Sequence, residues 1–173
     1  MTRPSEIFTT AELMKLWSYI PRRLAITDPR LIYTASRDGF NITTMINATQ
    51  NCYPFLLVMR TEENYVFGLY AEDSLYGVEN NRSFGNGESF LWSLRPEQEK
   101  YAWTAESNVF MVLSDNSHTL TVGGGGVGPG LVITDDFHVQ SFSCSTYGNI
   151  PLVGYRGMEE EIPCTQIELY TFE

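Results

Sequence analysis

The stretch TLTVGGGGVGPGLVITDD, residues 119–136, decides how the rest of the chain is read. Six of the eight residues from Gly123 to Gly130 are glycine, and Gly123, Gly125 and Gly128 satisfy the spacing G-x-G-x-x-G. A dinucleotide fingerprint places such glycines between a strand and a helix, whose N-terminus faces the pyrophosphate. Here TLTV supplies a strand, but Pro129-Gly130 and the strand-like LVIT follow the glycines, so no helix opens there. A P-loop fails too, because no Lys-Ser/Thr follows. The glycines therefore read as a backbone device, allowing positive φ and close approach in a bulged hairpin or where one strand passes tightly over another. No nucleotide and no other cofactor is expected.

Outward from this loop, the chain reads as β structure. PFLLVMR and YVFGLYA, separated by the polar TEEN, form a hairpin signal. ESFLWSL, YAW, NVFMVL, HTLTV, LVIT, HVQSFSC and TQIELYTF follow as further short runs. SDNS, the glycine loop, DD and YGN punctuate them as turns. No helix follows each strand, so a βαβ parallel sheet is unexpected. The pattern predicts a mainly β (α+β) fold: a two-sheet antiparallel β-sandwich flanked by short helices.

Two helices precede the strands. In TTAELMKLWSYIP, Thr9 and Glu12 have the capping-box spacing, and Leu13, Leu16, Trp17 and Ile20 form one apolar stripe before Pro21. LIYTAS then reads as a strand and RDG as a turn. NITTMINAT reads as a helix capped by Asn41, with Ile42, Met45, Ile46 and Thr49 inward.

Composition bounds the function. The 173 residues suit a single domain over residues 1–173, and 43% hydrophobic residues supply a core. A net charge of −10 repels phosphate backbones and anionic lipid, and favours a basic protein partner over nucleic acid. Three cysteines, Cys52, Cys144 and Cys164, are an odd number without C-x-x-C spacing, so reduced thiols in the cytoplasm are expected. MTRPSEIFTTAELMKLW lacks the apolar run of a secretory signal, and no stretch approaches a membrane span. His118 and His138 have no second ligand at metal spacing, so no metal site is expected.

In SFGNGESFLW, Gly85 and Gly87 frame a tight turn, and Glu88 enters an apolar strand. A carboxylate there is expected to be partly buried and to accept backbone N–H bonds from the turn. No second positioned group completes a general acid–base pair, so no catalytic residue is assigned. The alternative is an enzyme, a hydrolase or peroxide-handling protein, using Glu88 or a cysteine thiol.

GNGESFLW, YAWTAESNVF, LTVGGGGVGPGLVITDDF, CSTYGNIPL and QIELYTF occur in the order expected of a TLDc domain. IPRRL followed by LIYTASRDGFNITTM also matches, so the resemblance runs from Ser5 to Phe172. The resemblance implies a β-sandwich with short helices, a role in oxidative-stress resistance, and binding to the vacuolar proton-pumping ATPase with effects on its assembly or activity. It brings no established catalytic site. Gly87, Glu88 and Ser89 fall at the family's Gly-Glu-Ser, Gly123, Gly124, Gly125 and Gly126 at its glycine run, and Glu168 at the acidic position of its last strand. Asp38 stands where the family often has a histidine. The implied reading is a cytoplasmic, non-catalytic interaction module.

Overall fold

Apolar runs that cannot alternate need burial on both faces, and PFLLVMR and YVFGLYA are such runs. The computed structural model, which describes residues 5, 7–114 and 118–172, places them at the centre of a sheet. The chain runs α1 (Thr10–Tyr19), a 3-10 turn at Arg22–Leu24, β1 (Pro29–Thr34), α2 (Ala35–Asp38) and α3 (Ile42–Ala48). Then come β2 (Phe55–Thr61), β3 (Val66–Ala71), β4 (Ser83–Phe84), β5 (Phe90–Arg95) and β6 (Glu99–Ala102). The rest is β7 (Met111–Ser114), β8 (Thr119–Val122), β9 (Leu131–Ile133), β10 (His138–Gln140) and β11 (Ile162–Phe172).

Among the described residues all strand pairs are antiparallel. One sheet has the order β1-β11-β2-β3-β5-β6, and the other runs β4-β7-β8-β9-β10 into the start of β11. Ile162 and Pro163 pair with β10, whereas Cys164 to Thr171 pair with β2. The register shifts between Cys164 and Gln166. The long last strand thus belongs to both sheets and bends from one into the other, as bulged strands do at sandwich corners.

The core between the sheets joins Leu57, Met59, Phe67 and Leu169 of the first to Met111, Leu120, Ile133 and Val139 of the second. The outer face of the first sheet carries Leu56, Val58, Tyr70, Phe90, Trp92 and Tyr170, and α1 covers it with Leu16, Tyr19 and Ile20. That second layer explains why β3 is buried at every residue. Trp92 packs across β3 at Gly68, where a Cβ would come within 2.6 Å of the indole ring.

The expected hairpin and both expected helices are present. Thr9 and Glu12 make the full capping box, and Asn41 Oδ1 accepts from the N–H groups of Thr43 and Thr44. Of the α1 stripe, Leu16 and Ile20 are buried while Leu13 and Trp17 are half-buried. Several boundaries differ from expectation. LIYTAS ends as a strand at Thr34, because the Asp38 carboxylate accepts the Thr34 N–H at 3.1 Å and closes Ala35–Asp38 into one helical turn. Ser143 and Cys144, expected to extend a strand, lie beyond β10 and run under the glycine loop instead. The SDNS turn falls largely on residues 115–117, outside the described residues.

Glu12 does more than cap α1. Its carboxylate also forms two 2.6 Å bonds with the Arg95 guanidinium at the end of β5. Arg95 reaches on to the Ile7 carbonyl at 3.2 Å and to Asn64 Oδ1 at 2.7 Å. One ion pair thereby fixes helix, N-terminal segment and sheet together. The Arg95 bonds hold the Glu12 carboxyl below the usual carboxylate range, against an opposing push from burial. A depressed folded pKa means that the stabilisation is complete above the ordinary glutamate range and fades as pH falls through it. Glu12→Gln is therefore expected to cost about 1–3 kcal/mol at pH 7. The gap from wild type should be smaller at pH 3, below the ordinary glutamate range, because the wild-type carboxylate loses its advantage over the neutral amide as pH falls. Urea unfolding at both pH values measures it, and a gap unchanged by pH would contradict this role.

Candidate functional site

The glycine loop, the SFGNGES turn, the segment after β6 and the CSTYGN segment come together at one seam of the sandwich. The loop lies on the chain that follows β10. A Cβ at Gly123 would sit 2.8 Å from Cys144 Sγ, at Gly125 2.8 Å from Ser145 Oγ, and at Gly126 2.8 Å from the Ser143 carbonyl oxygen. Gly123, Gly125 and Gly126 also have φ of 79°, 75° and 62°. Close approach and left-handed backbone are thus both required, and the reading of the glycines as a backbone device holds.

Thr146, fully buried, is the hub of the seam. Its hydroxyl donates to the Val109 carbonyl at 2.9 Å and accepts the Gly124 N–H at 3.1 Å. Its carbonyl accepts the Thr104 N–H at 2.9 Å. The Thr104 hydroxyl donates to the Ser145 carbonyl at 2.6 Å, and the Gly124 carbonyl accepts the Ser145 N–H at 3.0 Å. Buried loop backbone that cannot join a ladder is satisfied in this way. Ser89, also buried, donates its hydroxyl to the Asn86 carbonyl at 2.8 Å. Its single proton is used there, so the Tyr147 hydroxyl, 2.8 Å away, donates to Ser89 Oγ. Gly87 makes room for Trp103, whose ring a Cβ would meet at 2.3 Å. Gly85, at φ 102°, lies against Phe110.

Glu88 is a correction. It is exposed, and its carboxylate meets Arg23 Nη1 only at 3.9 Å. The turn is held by Asn86, whose Oδ1 accepts the Glu88 N–H at 2.9 Å and whose carbonyl accepts the Ser89 N–H at 3.2 Å. The short asparagine side chain folds back onto the N–H two residues on, which leaves Glu88 facing solvent and Ser89 facing the core.

Glu168 lies elsewhere, buried on β11 between Thr34 of β1 and Val58 of β2. It accepts from the Ser5 hydroxyl at 2.5 Å and the Tyr170 hydroxyl at 3.0 Å, tying the segment before α1 to the last strand. The three cysteines are unpaired. Burial pushes the thiols of Cys144 and Cys164 up, away from thiolate, and Cys144 Sγ donates to Asn149 Oδ1 at 3.1 Å. Among the described residues no group of three or more His, Cys, Asp or Glu could hold a metal ion.

Thr104, Thr146, Asn86 and Asn149 are the residues that sequence reasoning missed. Their signal was modest: short hydroxyl and amide side chains set among glycines and aromatics in WTAES, GNGES and CSTYGN. The seam makes a graded prediction within one glycine run. Gly124 has no positive φ, and a Cβ there would meet Val109 at an ordinary 3.4 Å, so Gly124→Ala should be nearly neutral. Gly126→Ala puts a Cβ against backbone at positive φ and should cost about 1–3 kcal/mol. Thermal unfolding of the two variants checks the order, and equal effects would contradict it.

Comparison with known proteins adds the family. A family model described as the TLDc domain matches residues 1–173. The chain is 32% identical to GTPase-activating protein skywalker of Drosophila melanogaster over 92% of its own length and 29% of the relative's. It is 29% identical to oxidation resistance protein 1 of Homo sapiens and 27% to that of Xenopus laevis, over its whole length and 19% and 20% of theirs. The chain therefore spans less than a third of each of these relatives. With an antiparallel sandwich, short helices and a glycine seam matching the motifs that suggested it, the chain belongs to the TLDc domain family.

Proposed function

We propose that this chain is a non-catalytic protein-interaction module of the cytoplasm whose output is resistance to oxidative stress, and whose partner is the vacuolar proton-pumping ATPase. The observation that carries the reading is the match of the whole chain to the TLDc family, with oxidation resistance protein 1 among its relatives. The unpaired thiols support a reducing compartment. No helix among the described residues is long and apolar enough to cross a membrane.

The state of the reactive groups supports binding over catalysis. The Ser89 hydroxyl is bonded inside the turn, and the buried thiols are pushed toward their protonated form. Glu88 lies in solvent rather than facing a general acid or nucleophile. The cavities described beside α1 and beside Tyr101 take none of their walls from these residues. Gly85, Gly87 and the 123–126 run support the surface, and Glu88 is the group that the turn presents to a partner.

Capture of pump subunits from cell extract by the tagged chain is the test, with Glu88→Lys beside it. Capture is expected from wild type, and several-fold less from the variant, whose stability should lie within about 0.5 kcal/mol of wild type because the position is exposed. Absence of pump subunits would overturn the partner. A variant that captures normally would remove Glu88 from the contact.

A further inference from the structure

Three tyrosines far apart in sequence meet beside the edge strand β6. Tyr65 comes from the β2–β3 turn, Tyr101 from β6, and Tyr155 from the loop before β11. With Pro96 and Pro151 they wall an open trough of about 130 Å³, and Glu97 stands in the same wall. Tyr155 is 80% exposed, so its ring is open to a partner.

The trough is formed by the backbone around it. Gly154 has φ of 79°, and a Cβ there would sit 2.8 Å from the Tyr65 hydroxyl oxygen, so glycine lets the Tyr65 ring lie where it does. Tyr65 and Tyr101 pack on the main core and are held in place by it.

The uncompensated charge around the trough is negative. Glu97 and Glu99 are exposed and have no ion-pair partner among the described residues. The chain's own nearby cations are already engaged. Lys100 points to the other side of β6, where it donates to the Tyr19 carbonyl at 2.9 Å and lies 4.4 Å from the Phe90 ring centroid. Arg156 lies 5.7 Å from the Tyr65 ring centroid, and Glu63 and Glu160 neutralise it at 2.6 and 2.9 Å. A guanidinium on Tyr65 is thus an arrangement the fold already contains. Neutral tyrosine faces beside unpaired carboxylates attract a planar cation, and arginine stacks on such faces better than lysine.

We propose that the Tyr65–Tyr101–Tyr155 trough is a docking site for a basic segment of a protein partner, seating an arginine side chain among the three rings with its charge facing Glu97. The site is separate from the Glu88 turn, and its test does not depend on the identity of the partner proposed above. Burial and the carboxylates of Glu99 and Glu97 push the Tyr101 phenol up, so its ring stays neutral through the physiological range.

Two synthetic peptides test the site by amide NMR titration of the whole chain. One alternates proline and arginine with blocked ends; the other carries citrulline, the neutral isostere, at each arginine. The arginine peptide should shift the signals of Tyr65, Tyr101, Gly154 and Tyr155 saturably, and the citrulline peptide should bind at least about fivefold more weakly. Tyr155→Ala should weaken the arginine peptide by a similar factor with an unchanged melting temperature, because the ring is exposed. Glu97→Gln should weaken it less and flatten its salt dependence. Equal binding of the two peptides would overturn the proposal. So would shifts spread over the acidic surface and indifferent to Tyr155→Ala, which would mark general charge attraction only.

Discussion

The fold depends on β11 serving two sheets. Its first residues pair with β10, and after the irregularity between Cys164 and Gln166 the same strand runs between β1 and β2. From Ile167 to Phe172 it is buried without a break. A strand shared in this way fixes the angle between the sheets and closes the core from one end. It also explains the acidic residue in an apolar strand. Glu168 accepts from Ser5 and Tyr170, so the strand that joins the sheets also fastens the segment leading into α1.

At the glycine seam the same problem is solved differently. Four loops approach where no ladder can satisfy them, and hydroxyl and amide side chains take the place of strand partners. Thr146 alone joins the chain at Gly124, Val109 and Thr104. A buried polar network of this kind rigidifies when every member is bonded. The glycines are part of it because Cβ atoms at Gly123, Gly125 and Gly126 would collide with the segment beneath them. The seam holds the surface turns in place, and Glu88 at the turn and Tyr155 before β11 remain exposed to solvent.

Much of the fold was legible because its signals are local. Capping at Thr9 and Asn41 marked α1 and α3, and unbroken apolar runs marked β2 and β3. Elements held by long-range contacts were not. The two-residue β4 exists only by pairing with β7, and α2 is one turn closed by Asp38. Glu88 was misread because sequence could not say whether Asn86 or Glu88 would satisfy the turn; the shorter side chain reaches the nearer N–H. The tyrosine trough left no trace in sequence, since its walls come from three separate segments and meet only through sheet pairing.

The glycine loop is a structural lock rather than a moving ligand loop. Native-state hydrogen exchange at the amides of Gly123, Gly124 and Thr146 tests it most directly, with Leu57 and Leu169 of the central sheet as reference. The seam amides should exchange only through global opening, with the same free energy as the central strands. Seam amides that exchange at a far lower free energy while Leu57 and Leu169 stay protected would contradict it, and would make the loop a gate.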